Sequence, residues 1–387
     1  MSRIDEGFVK IGTDIENVRA SICAAGKNVI VISSDHVNLR AIILAFLSAA
    51  LFGVSTPAAK VLLGSVDPVI LAGLFYCGAG FGVGVVRRLA RRLIAPEGRS
   101  QTPLARGDLP WLAAAIVAGG IAGPILLMTG LAHTGAATAS LLLTLEGVAT
   151  ALLAWFVFHE NFDRRISAGM TCLAAGAALL AWNGQPTLSN LLGPLAILAA
   201  CFAWGLDNNF TRKVSLADPL QIVELKGMIA GPVILGLGLW AGGNLPALTP
   251  ALVAGLVGFL GYGVSLALFI LALRHLGAAR TGAYFSTAPF LGAVAAIVFL
   301  REPITSQLIA AGLLMGLGVW LHLTEDHAHD HVHEVMEHAH PHTHDMHHQH
   351  SHGPDDPPGE PHAHAHRHEL IRHEHPHTPD MHHGHRH

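Results

Sequence analysis

Between Arg40 and His322 the chain is a succession of uncharged apolar runs, each close to the length of a membrane-crossing helix and separated by short polar connections. In hydrocarbon no water satisfies backbone N–H and C=O groups, so only helices and closed barrels can span a bilayer. Runs of roughly 20 residues without period-two alternation are helices. They predict an all-α polytopic membrane protein with helices near 41–63, 68–86, 110–132, 136–158, 166–182, 190–206, 220–241, 250–273, 279–300 and 303–322. Apolar residues make up 51 % of the chain and charged residues 13 %. A soluble helical protein would instead show amphipathic stripes every 3.6 residues.

One unit is written twice. Leu131-Ala-His-Thr-Gly-Ala-Ala137 returns as Leu273-Arg-His-Leu-Gly-Ala-Ala279, and at the same offset Gly147 falls on Pro289, Ala151 on Ala293, Ala154 on Ala296 and Glu160 on Glu302. Copies separated by an odd number of spans insert in opposite senses, so residues 40–182 and 188–322 are expected to be two inverted five-helix repeats. Ten spans fit in their combined length.

Loop charge orients the chain. Arg87, Arg88, Arg91, Arg92, Arg99, Arg106, Arg164, Arg165, Arg212, Lys213, Arg274 and Arg280 occupy alternate connections. The connections between them lack Lys and Arg except for Arg301. Positive residues stay inside, which puts both termini in the cytoplasm of a cell bounded by an inner (plasma) membrane. The first apolar run long enough to insert starts near Ala41, which is not a signal-peptide pattern. Residues 1–39 read as a weakly ordered cytoplasmic extension. Cys23, Cys77, Cys172 and Cys201 have no disulfide or metal-site spacing and are read as small packing residues.

On the span plan, the paired Leu-x-His-x-Gly-Ala-Ala entries and the helices Leu141–Glu160 and Ala283–Glu302, which close in His-Glu-Asn and Arg-Glu-Pro, residues 40–322 resemble the EamA-type drug/metabolite transporter superfamily. The resemblance implies a two-repeat carrier of small metabolites, amino acids or drugs, often an exporter. It says almost nothing of the cargo. Gly147 departs from the pattern because it stands where the helix proline, Pro289 in the second copy, is usual, so unequal bending of the two halves is expected.

In such repeats the substrate lies near the midplane, where polar side chains are tolerated only around a cavity. Glu146 is the foremost candidate: a carboxylate midway along a helix costs about 2.5 to 3.5 kcal/mol on insertion scales. A proton, a partner or a ligand must offset that. Thr56, Lys60, Asn208, Asn209, Glu224 and Tyr284 complete the candidate substrate or proton pathway, with Pro57 and Pro289 as hinges. Lys60 also reads as an interfacial cation, and Glu224 with Lys226 as interfacial anchors. Glu160 and Glu302 read as helix-end residues that anchor short loops. Glycines such as Gly78, Gly80, Gly82 and Gly84 predict close helix contacts.

From Asp326 the chain turns polar, and 23 of its 28 histidines lie between His327 and His387. Imidazoles interleaved with carboxylates favour Zn, Ni, Cu or Co. His327, His329, His331, His333, His338, His340, His342, His344, His347, His348 and His350 are the candidate ligands of a tail, residues 326–387, that has no core-forming residues and is expected to be disordered.

A lipid bilayer, a small-molecule substrate and divalent metal ions are therefore the expected partners, and a homodimer is compatible with the plan; nothing points to nucleic acid. No cofactor is required. No Ser-His-Asp, His-Glu-x-x-His or Gly-x-x-x-x-Gly-Lys-Ser/Thr pattern is present, which argues against an enzyme and against ATP as the driving force. The expected activity is secondary transport by alternating access, coupled to protons or exchange. The competing readings are a transition-metal transporter (Ni, Co or Zn) and a metal-responsive membrane sensor without transport. They rest on the tail alone, because no predicted helix carries metal ligands four residues apart.

Overall fold

The computed structural model describes residues 34–93, 106–158, 164–182, 188–214, 218–323, 328–333, 337–342, 362–367 and 371–376. The chain divides into Met1–Arg40, described only as helix over 34–40, and Ala41–His387, which holds everything else. From Ser34 to Leu323 the described residues form helices and turns: α1 Ser34–Leu62, α2 Pro68–Leu93, α3 Leu109–Ala115, α4 Gly123–Ala132, α5 Ala136–Leu142, α6 Leu145–Phe158, α7 Arg164–Ala181, α8 Leu188–Lys213, α9 Pro219–Trp240, α10 Leu248–Gly258, α11 Ser265–Phe285, α12 Ala288–Leu300 and α13 Ser306–Leu323.

Among the described residues seven spans are long and apolar enough to cross a membrane. Three shorter apolar helices, Arg165–Ala181, Ala288–Leu300 and Ser306–Leu321, continue the pattern. Large side chains such as Phe81, Val117, Leu252, Phe299 and Leu313 face outward. Small ones such as Ala45, Ala49, Ala72, Ala139 and Ala296 fill the interior. Lipid tails are as apolar as leucine, so close backbone approach rather than exclusion from water holds such helices together.

The duplication is visible in the backbone. A π-helical stretch joins α3 to α4 at Ile116–Ala122, and another joins α10 to α11 at Phe259–Val264, in register with the sequence offset to within a residue. Equivalent helices meet across the two copies and run in opposite directions. Ascending α2, Gly73 lies against Leu235, Cys77 against Gly231, Gly80 against Gly227 and Gly84 against Glu224 on descending α9. A Cβ on Gly80 or Gly227 would collide with the opposite backbone, so glycine is required there. Likewise Leu173 of α7 packs on Gly318 of α13 and Gly176 on Met315, while Gln307 donates to the Leu179 carbonyl. On α1, Ser48 and Ser265 of α11 donate to each other's backbone carbonyls at 2.7 and 2.9 Å.

Two local expectations change. The eighth and ninth helices were expected to part near Leu273–Ala279; that backbone is helical, and the break falls after Phe285, where Pro289 starts α12 in the first turn that tolerates it. The first copy was expected to bend differently for want of that proline. It breaks at the matching place, Leu143–Thr144. The shared device is a threonine: the Thr144 hydroxyl donates to the Leu141 carbonyl at 2.8 Å and the Thr287 hydroxyl to the Tyr284 carbonyl at 2.6 Å. Each adds to the main-chain bond that the same threonine donates to that carbonyl in the turn.

In the tail the sequence led us to expect no regular structure, whereas the described backbone forms β1 Ala328–His333, β2 Glu337–His342, β3 His362–Arg367 and β4 Ile371–Pro376, paired antiparallel as β1–β4 and β2–β3. Histidine on every second residue is a period-two pattern, which suits strands. The register sets His329 opposite His375, His331 opposite His373, His338 opposite His366, His340 opposite His364 and His342 opposite His362. His327, His344, His347, His348 and His350 lie outside the described residues.

Candidate functional site

The two helix breaks meet. Between the α5–α6 turn, the α11–α12 turn and Phe52 of α1 lies a cavity of about 210 Å³, with Leu173 of α7 and Val319 of α13 closing its side. From the first copy Thr144, Glu146 and Gly147 line it; from the second, Gly282, Phe285, Ser286 and Pro289. Its wall is mostly apolar. The Phe52 and Phe285 rings stand 5.4 Å apart at 44°.

Glu146, in the first turn of α6, is the single ionisable residue on that wall among the described residues. Ala288 of α12 occupies the equivalent position in the second copy, so the charge is not duplicated. Asn208 of α8 donates to Glu146 Oε1 at 3.0 Å and to Thr150 Oγ1 at 3.1 Å, and Thr150 donates to the Glu146 carbonyl at 2.8 Å. The carboxylate is thus held by one amide donor. Asn209, a sequence candidate as well, points away and donates to the Gly205 and Thr150 carbonyls at 2.8 and 3.3 Å, which pins α8 to α6.

Next to Asn208 lies a group that the sequence reading missed. Asp207 of α8 accepts from Lys226 of α9 and from the Thr211 hydroxyl at 2.8 Å, with Lys226 also donating to Thr211 at 3.1 Å. Asp207 packs against Gly119 in the first π-helical stretch. The Gly119 carbonyl, left without a regular helical donor, accepts from Tyr76 at 2.9 Å and from Trp204 at 3.0 Å. The sequence reading took the neighbouring Asn208 and Asn209 as candidates, passed over Asp207 and read Lys226 as an interfacial anchor. The signal was the rarity of opposite charges at or within spans.

Other candidates sit elsewhere. Lys60 donates to the Leu131 and Thr134 carbonyls at 2.6 and 2.8 Å and so caps the end of α4. Glu302 accepts from the Ala136 and Ala137 amides at 2.6 and 2.8 Å and caps the start of α5. Both charges complement the helix-end dipoles they face. Arg301, at φ 56° in the left-handed region, turns the chain so that Glu302 reaches them. Glu224 is ion-paired with Arg87 at 2.8 Å and Arg88 at 3.1 Å, and Arg87 also meets Asp218 at 2.8 Å. Tyr284 leans on Phe46, ring centroids 5.0 Å apart, and Thr56 is buried in α1. Pro57 lies inside an unbroken α1, whereas Pro289 borders the cavity. The side chains of Glu160 and Arg212 lie outside the described residues.

Among the described residues no group of three His, Cys, Asp or Glu side chains is placed to hold a metal ion.

A sequence model of the EamA-like transporter family matches residues 39–182 and 191–324. An uncharacterized transporter from Methanothermobacter thermautotrophicus is 30 % identical over 281 residues, spanning 70 % of this chain and 82 % of that protein. A probable amino-acid metabolite efflux pump from Salmonella typhimurium is 26 % identical over 300 residues, 72 % of this chain and 93 % of the pump. A crystal structure at 20 % identity superimposes with a TM-score of 0.54, over 73 % of this chain and 95 % of its own, and speaks for the fold.

Proposed function

We infer that this chain, which belongs to the EamA-like transporter family, carries a small metabolite across the inner membrane through ten spans by alternating access, with both termini in the cytoplasm. The observation that carries the reading is the position of Glu146: one carboxylate in a cavity where the broken helices of two oppositely directed repeats meet. A broken helix can pivot at its turn. Rocking of α1 and α8 with the α5–α6 and α11–α12 pairs exposes the cavity to one face and then the other. The fastening that must open on one face is the pair of caps made by Lys60 and Glu302 around the α4–α5 turn.

Export is the favoured direction, in line with the efflux pump among the relatives, whose amino-acid metabolite cargo is the first class to try. Glu146 binds either a proton or the cargo, which couples export to proton entry. The His-rich tail binds Zn, Ni, Cu or Co and adjusts transport to cytoplasmic metal. Metal as cargo is the weaker reading, since the cavity offers one carboxylate and otherwise apolar and hydroxyl groups.

Counterflow in proteoliposomes tests the core of this. The wild type exchanges labelled cargo and dissipates an imposed proton gradient; Glu146→Gln folds, shown by an unchanged elution profile, and loses both. Proton-coupled uptake that persists in Glu146→Gln removes Glu146 as the carrier.

A further inference from the structure

Beyond transport as such, and resting on the reading of this cavity as the cargo site, we propose that the ligand is a compact monoamine: one ammonium group on an apolar or aromatic body, without a carboxylate, whose size is set by Gly147 and Gly282. Charge and hydrogen-bond bookkeeping lead there. Among the described residues Glu146 is the only ionisable group on the wall. Two lysines described in the spans are engaged elsewhere, Lys226 with Asp207 and Lys60 with the end of α4.

Donors for an anion are few. Broken helices often receive carboxylates on free amides, but here most of the turn amides are used. Leu143, Thr144 and Glu146 donate to carbonyls of their own turn, and so do Ser286, Thr287, Phe290 and Leu291 of the second break, while Pro289 has no N–H. The Thr144 hydroxyl already donates to Leu141 and can only accept from a ligand. Beside the Ser286 hydroxyl, what the wall offers is acceptors and aromatic faces. An ammonium bonds to Glu146 and lies near Phe52 and Phe285, whose ring faces attract cations.

The two glycines set the size. A Cβ built on Gly147 or Gly282 would meet no atom within 4 Å, so packing does not demand glycine at either position. Glycine within a helix costs about 1 kcal/mol relative to alanine. Both border the cavity, and bare backbone there gives a ligand room to approach. The volume of about 210 Å³ falls below the roughly 300 to 1,000 Å³ of sites for drug-sized ligands, which points to a body the size of one ring.

Calorimetric titration of the full-length protein in nanodiscs with phenethylamine, methylamine, phenylacetate and phenylalanine tests the proposal. Phenethylamine should bind at least tenfold tighter than phenylalanine, with phenylacetate undetectable. Glu146→Gln should lose at least tenfold for both amines. Gly147→Leu and Gly282→Leu should lose phenethylamine while methylamine is kept; Gly147→Ala and Gly282→Ala, with a thermal midpoint no lower than the wild type, guard against a folding defect. Tighter binding of phenylacetate or phenylalanine, or phenethylamine affinity indifferent to Glu146→Gln and to both leucine variants, overturns it. Uptake assays keep the two readings apart: amine binding without uptake would sink the transport reading alone, and uptake of carboxylates without amine recognition would sink this one alone.

Discussion

Glu146 was legible in the sequence because a lone carboxylate at midspan stands out against apolar neighbours. Asp207 was not, although it is buried, because its meaning depends on Lys226, which lies across a loop on another helix. A pair of that kind is recognised only when both helices are aligned. Its energetics make a clear test. Removing one member of a buried ion pair strands the other charge and costs about 3 to 5 kcal/mol, whereas replacing both is far milder. Asp207→Asn and Lys226→Met are each expected to lower the thermal midpoint in detergent, and the double variant to recover most of the loss. Additive losses in the double variant would mean that the two side chains do not act as a pair. Lys60 carried two readings in the sequence, pathway residue and interfacial cation, and three carbonyls at a helix end occupy it.

At the level of elements, span existence was written plainly in the apolar runs, while the breaks inside spans were not. Proline was the sequence mark of a bend, and of the two hinge prolines only Pro289 borders a break, while Pro57 sits in an unbroken helix. Both copies break, each beside a threonine hydroxyl, Thr144 or Thr287, of a kind that any helix could carry without bending. Context decides which threonine acts. Thr144→Val removes a bond worth about 1 kcal/mol and should let α5 run straight into α6. The expected readout is loss of exchange with the folded fraction retained; full exchange would assign the break to packing instead. The cap made by Glu302 gives a second test. Glu302→Ala should cost about 1 kcal/mol of helix-end stabilisation and raise the labelling rate of a cysteine placed at His133. No change in labelling would mean that this turn is not fastened there.

For the whole molecule, the charge pattern of the loops and the opposed directions of α2 and α9 make one demand. Cysteines at Arg165 and at Leu245 should be labelled from opposite sides of the membrane, whereas those at Arg88 and Arg165 should be labelled from the same side. Labelling Arg88 and Arg165 from different sides would undo the topology. Residues 326–387 form a separate unit of chemistry: their deletion should leave exchange intact in metal-free buffer and abolish retention of the protein on immobilised Ni. Retention that survives the deletion would place the metal affinity in the spans. The twofold writing of the sequence showed that two copies exist, but not how they depend on each other. Glu302, from the end of the second copy, completes a helix that begins in the first. The first half, translated alone, lacks the side chains that seal its own helix ends. A gene cut between residues 183 and 187 should therefore yield a first fragment that is degraded singly and rescued when the second is co-expressed, like a lock whose key was cut elsewhere.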